Sequence, residues 1–149
     1  MNLLGKAMER LETTITIDAP RERVWEILMN FSEYSDWNPF IVSIRGMQEI
    51  GARLSVVMRI DHKKMTLKPE IITLDEPVAF EWIGALLFKG LFSGKHMFYL
   101  KKSENNKTLL RHAEEFRGWL VPFLWPRIKD GTTKGFEAMN QALKQRAEQ

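Results

Sequence analysis

The chain has 149 residues, 44% of them hydrophobic and 28% charged, which fits one domain able to bury roughly 68–70% of its unfolded surface without a disulfide or metal staple. With no cysteine at all, disulfide frameworks, thiolate metal sites and cysteine nucleophiles are excluded. The net charge of +3 is a small, interspersed excess of 22 basic over 19 acidic residues, so a nucleic-acid groove is not expected.

In chain order, residues 1–8 read as a flexible extension, with Met8 an alternative start. Thr13-Thr14-Ile15-Thr16-Ile17 alternates β-branched residues and predicts a strand. Asp18-Ala19-Pro20 ends it, with Asp18 placed to cap a helix and Pro20 suited to its first turn. Val24, Trp25, Leu28 and Phe31 recur at helical spacing, and a second short helix follows at Ser32–Asp36. It stops at Trp37-Asn38-Pro39-Phe40, where the residue before proline leaves helical geometry. From Ile41 to Gly118 the period becomes two, predicting a meander with strands near 41–47, 52–61, 65–74, 78–84, 94–102 and 108–118. The separators carry turn residues: Gly51, Asp61-His62, Asp75-Glu76-Pro77, Gly90 and Glu104-Asn105-Asn106-Lys107. The basic clusters His62-Lys63-Lys64 and Lys101-Lys102 fall at such turns and strand ends. After Pro122 and Pro126 the pattern is helical, with Ile128, Thr132, Gly135, Phe136, Met139 and Leu143 on one stripe. No charge-free run reaches ten residues, so neither stable membrane insertion nor a signal-peptide core is expected, and a cytoplasmic location is the default.

Alternation assigns the faces. Over 108–118 one set is Leu110, His112, Glu114, Phe116 and Gly118; the other carries Arg111, Glu115 and Arg117 and belongs to solvent. Over 94–102, His96, Phe98 and Leu100 oppose Met97, Tyr99 and Lys101. Over 52–61, Leu54, Val56, Met58 and Ile60 face inward, as do Met65, Leu67, Pro69 and Ile71 over 65–74. Phe80 and Trp82 share a face, opposite Glu81. The inward face is therefore apolar except for His96, His112 and Glu114. A carboxylate there needs a donor or a proton, and either imidazole is placed to pair with it. Such a pair suits proton transfer, or else fastens the sheet to the last helix.

Several segments have their own candidate roles. Trp37 plugs a turn or touches a ligand. Gly131 and Gly135 mark close helix–sheet approach or a widened cavity. Leu86–Phe92 is a strongly apolar stretch in a predicted loop, and Trp119–Trp125 another at the entry to the last helix; together they are candidates for a portal or an interface. Phosphate loops, a nucleophile elbow, a dinucleotide fingerprint and a credible zinc site are all missing from the sequence.

Ile15-x-Ile17-x-Ala19-Pro20 leading into Val24-Trp25, then Phe31-x-x-Tyr34-x-x-Trp37-Asn38-Pro39-Phe40, resembles the START-like (SRPBCC) superfamily, and within it the polyketide cyclase/dehydrase and lipid-transport type. Phe80-x-Trp82-x-Gly84, Gly94-x-His96-x-Phe98-x-Leu100 and Thr108-x-Leu110-x-His112-x-Glu114-x-Phe116-x-Gly118 extend the likeness over residues 8–147. The resemblance implies an α+β helix-grip fold spanning 1–149, a curved seven-stranded antiparallel sheet wrapped around a long C-terminal helix with an apolar cavity between them. It implies binding or transport of a small hydrophobic ligand, without a cofactor or metal, by Trp37, Leu54, Val56, Met58, Leu67, Ile71, Phe80, Trp82, Phe88, Phe98, Phe116, Gly135, Phe136 and Met139. An aromatase/cyclase-type enzyme with His96, His112 and Glu114 as acid/base groups is the alternative, and a protein-interaction module, monomer or homodimer, is a third reading.

Overall fold

Cross-strand pairing extends the first strand well beyond its β-branched run. In the computed structural model, which describes residues 8–85 and 90–149, β1 runs from Met8 to Ile17 and pairs antiparallel with β8 along its whole length. Its N-terminal half looks too charged for a strand, but Glu9 and Arg10 point to solvent, and Arg10 meets Glu115 of β8 at 3.6 Å. Met8 therefore belongs to the sheet. The rest of the expected extension lies outside the described residues.

α1 (Arg21–Met29) buries Val24, Trp25 and Leu28. Asp18 does not cap it. Pro20 itself occupies the cap position in extended geometry, and its carbonyl accepts from Arg23 and Val24; the Asp18 amide instead donates to Glu148 at the far end of the chain, 2.7 Å away. A tight turn at Phe31–Glu33 leads into α2 (Tyr34–Trp37). The side-chain oxygen of Asn38 then accepts from the amides of Phe40 and Ile41 at 2.9 and 2.8 Å, which turns the chain into β2 (Ile41–Arg45).

The meander is β3 (Ser55–Ile60), β4 (Lys63–Leu67), β5 (Glu70–Asp75), β6 (Ala79–Ala85), β7 (Ser93–Lys102) and β8 (Thr108–Arg117). Five strands form one antiparallel sheet in the order β1-β8-β7-β6-β5, and β2-β3-β4 form a second. The expected single strand over 65–74 is thus split in two, giving eight strands instead of seven. Pro69 is the cause: it has no amide to give a ladder, so the chain bends there and passes from one sheet to the other. The register survives the bend. Arg53 still faces Glu70 as Val56 faces Leu67, and the Leu54 amide donates to the Pro69 carbonyl at 2.8 Å. Asp61 and His62, both with positive φ, make the hairpin turn between β3 and β4.

α3 spans Val121–Ala147 and crosses the concave side of the sheet. It begins before the two prolines rather than after them. Pro122 sits in the first turn, where no amide is needed, and Pro126 is tolerated on an exposed flank. The buried stripe is Thr132, Phe136, Met139, Asn140, Leu143 and Ala147. Gly135 is needed for close approach: a Cβ there would come within 2.4 Å of the Phe40 ring. On the convex side, Met97 and Ala113, paired with each other, are buried although that face carries Arg111 and Glu115. Longer side chains cover the face around them, with Arg111 lying 4.8 Å over the Tyr99 ring and Tyr99 donating to Glu81.

Candidate functional site

Between the N-terminal half of α3 and the β3–β4 hairpin the core is not filled. A cavity of about 200 Å³ opens there, walled by Met58 and Ile60 of β3, Met65 and Leu67 of β4, Phe92 just before β7, Glu114 and Phe116 of β8, and Leu124, Ile128 and Thr132 of α3. Strand alternation explains the wall. Met58 and Ile60 are two apart, as are Met65 and Leu67, while Leu124, Ile128 and Thr132 are four apart on one helix face. Phe92 stacks on Phe116 at 5.7 Å, and Phe116 packs on Trp125 at 5.7 Å. Trp119 and Phe123, 55% and 73% exposed, stand near the start of α3.

Among the described residues, Glu114 is the one titratable group in the wall. Behind it a row of polar side chains crosses the apolar core. His96 Nδ1 lies 3.3 Å from Glu114 Oε1, without the alignment of an N–H···O bond. His96 Nε2 and His112 Nε2 are 2.7 Å apart, His112 Nδ1 is 2.8 Å from Asn140 Oδ1 on α3, and Asn140 Nδ2 donates to Thr13 Oγ1 of β1 at 2.8 Å. Thr13 in turn donates to the His112 carbonyl at 3.1 Å. Aromatic rings enclose the imidazoles: His112 lies flat on Phe136, centroids 4.0 Å apart, and His96 stacks on Trp82 at 4.8 Å.

Burial sets the electrostatics. It pushes the His96 imidazole down to about 3 and holds His112 well below its ordinary range, helped by His96 and opposed by the bond to Asn140. The same loss of water pushes the Glu114 carboxyl up to about 8. All three groups are therefore uncharged near neutral pH. Gly94 leaves room for the acid: a Cβ there would lie 2.3 Å from Glu114 Oε2. Among the described residues no cluster of three or more His, Asp or Glu is arranged to hold a metal, and no helix is long and apolar enough to cross a membrane.

Residues 8–148 match the family described as polyketide cyclase/dehydrase and lipid transport. The chain belongs to this family. Similar solved structures include the Zhui aromatase/cyclase from Streptomyces sp. R1128 (16% identity, 95% of this chain and 94% of that one, TM-score 0.79). A START superfamily protein from Mycobacterium smegmatis matches at 18% identity over 93% of this chain and 97% of that one, TM-score 0.75. Truncated norcoclaurine synthase from Thalictrum flavum matches at 12% identity over 98% and 97%, TM-score 0.74. At these identities the likeness is one of fold. No curated protein matches the sequence.

Within this polyketide cyclase/dehydrase and lipid-transport fold, most of the residues expected to bind a ligand fall into two groups. Met58, Leu67 and Phe116 line the cavity, as does Glu114. Leu54, Val56, Ile71, Phe80, Trp82, Phe98, Phe136 and Met139 face the same side of the sheet but pack into the continuous core. Their side chains fill the space they were expected to border, as in the stacked Phe80 and Phe98 pair at 6.1 Å. Gly135 lies beneath Phe40 and widens nothing. Trp37 packs against Tyr34 at 5.2 Å, away from the cavity wall. Phe88 and its neighbours 86–89 lie outside the described residues.

Of the two segments expected to form a portal, Phe92 and Leu124 line the cavity among the described residues. Ile60, Met65, Ile128 and Thr132, readable as inward or on the helix stripe, were not expected to form the site. Asn140 and Thr13 were also missed. The available signal was Asn140 itself, a polar residue four positions after Phe136 on a buried stripe.

Proposed function

We propose that the protein binds a compact, largely apolar small molecule of one or two rings in the cavity between the β3–β4 hairpin, β8 and the N-terminal half of α3. The observation that carries the reading is a wall that, among the described residues, is apolar but for one buried acid. A few convergent polar groups in an apolar pocket are the usual make-up of a small-molecule site. Volume argues for a small occupant: an apolar cavity of about 150 Å³ holds benzene, and about 200 Å³ leaves room for little more. A full-length acyl lipid or an extended poly-β-keto chain does not fit that space.

Native mass spectrometry and calorimetry against a panel of one- and two-ring apolar molecules test this. One-to-one binding is expected, and Ile128→Trp, which fills the cavity from a half-buried position, should abolish it without loss of the folded spectrum. If no member binds, or if Ile128→Trp binds as well as wild type, the reading fails.

A second reading, an acid/base enzyme of the aromatase/cyclase class, is supported by the approach of Glu114 to His96, which in turn meets His112. An acid whose pKa burial has pushed up to about 8 can hand over and recover a proton at neutral pH during aldol closure or dehydration of a small keto substrate. Turnover that survives Glu114→Gln would remove it.

A further inference from the structure

The row of polar groups behind the cavity has a direction, set by its far end. The main-chain carbonyl of His112 can only accept, so the Thr13 hydroxyl, 3.1 Å away, donates to it. The Thr13 oxygen then accepts from Asn140 Nδ2, which turns Asn140 Oδ1 towards His112 Nδ1. That oxygen needs a donor, so His112 carries its proton on Nδ1. A neutral imidazole protonated there offers a bare Nε2, and the facing His96 Nε2, 2.7 Å away, must donate to it. His96 Nδ1 is left as an acceptor. Run the other way, the row would set the Thr13 and His112 oxygens face to face at 3.1 Å with no proton between them. Both imidazoles are fully buried, which keeps them neutral.

His96 Nδ1 is thus a buried acceptor, and among the described residues no aligned donor reaches it. Glu114 Oε1 lies beside it at 3.3 Å. A proton on Oε1, turned to that nitrogen, completes the row and leaves Oε2 as an oxygen of carbonyl type. We propose that Glu114 serves the ligand as an uncharged hydrogen-bond acceptor, so that the cavity selects compact apolar molecules carrying a hydroxyl or N–H donor, a phenol being the simplest, over ethers and ketones of equal size. This inference rests on the cavity reading above. An ether or ketone sets two acceptors against each other, or draws off the proton on which His96 Nδ1 depends.

Calorimetry with para-ethylphenol, para-ethylanisole and acetophenone, on wild type, Glu114→Gln and Glu114→Leu, tests the proposal. Wild type should prefer the phenol by about tenfold, the worth of one hydrogen bond. Glu114→Gln has the same donor and acceptor layout as the protonated acid, an N–H for His96 and a carbonyl for the ligand, and should keep the preference within about threefold. Glu114→Leu should lose the preference yet still bind the anisole. Imidazole nitrogen NMR gives a readout independent of any ligand, with His112 protonated on Nδ1 and His96 on Nε2. The opposite tautomers, equal binding of the three probes, or loss of the phenol preference in Glu114→Gln each overturn the inference. Equal binding would leave the cavity reading intact, whereas no binding of any probe would remove both.

Discussion

The two halves of α3 face the same concave side and end in opposite states. In the C-terminal half, Phe136, Met139 and Leu143 are fully buried, and Phe136 closes on Phe40 at 5.5 Å and on His112 at 4.0 Å. In the N-terminal half, Leu124 and Ile128 are only partly buried and border a void. The difference lies in what meets them. Opposite the C-terminal half stand aromatic rings, and Gly135 lets helix and ring approach. The N-terminal half meets the β3–β4 hairpin, whose Met and Leu side chains do not fill the gap. A sheet that grips a helix makes a core where rings interdigitate and a pocket where they do not.

The first way to break this contrast is to open the filled half. Phe136→Ala removes a ring from a site with no room to collapse and should cost about 3–5 kcal/mol, read from urea unfolding at neutral pH. A cost below about 1 kcal/mol would mean that the C-terminal half is as loosely packed as the other. Next in size is the polar link between helix and sheet. Asn140→Leu leaves His112 Nδ1–H buried without an acceptor and should cost about 1–3 kcal/mol. Its imidazole nitrogen spectrum should also lose the fixed tautomers, which a merely steric defect would not change.

How much of this was legible in the sequence follows from the same contrast. Alternation placed Leu110, His112, Glu114 and Phe116 on one face because period two is a local property of a strand, and all four are buried there. The order of elements was legible for the same reason. The filled and empty parts of that face were not. Whether Phe98 borders a cavity or fills it depends on Phe136, thirty-eight positions away, and on how near α3 comes. Pro69 could be read as inward, but not as the hinge that passes one strand between two sheets, since that depends on which neighbours each half finds. Asn140 and Thr13 come together only because β1 and α3 pack on each other.

Titration sharpens the comparison further, because the acid at the edge of the void and the imidazoles in the core shift in opposite senses. Glu114 has its folded value raised from 4.5 to about 8, so the stability it contributes is full at low pH and is lost as pH rises through 8. His96, lowered from 6.5 to about 3, and His112, lowered by burial, contribute stability that is lost as pH falls below 6.5. Stability should therefore peak near pH 6.5. From there to pH 8 it should fall by about 1 kcal/mol, and Glu114→Gln should flatten that arm while leaving the acid arm in place. Chemical unfolding at a series of pH values gives both slopes. An alkaline arm that persists in Glu114→Gln would assign it to another group.

The smallest effect on stability is expected where the void already exists. Leu124 is partly buried and faces the cavity, so Leu124→Ala removes contacts that are incomplete from the start. The cost should be under about 1 kcal/mol, well below that of a fully buried leucine. The same change enlarges the pocket, and its effect on binding should outweigh its effect on folding. Beta-naphthol, with its second ring, should gain about threefold or more over para-ethylphenol in the variant relative to wild type. Deleting the same number of atoms at Leu143 should do the reverse, costing about 2–5 kcal/mol and leaving ligand size preference unchanged. If the two leucines behaved alike in both measurements, the helix would have to be treated as one surface, and the cavity as an ordinary packing gap with no claim to be a site.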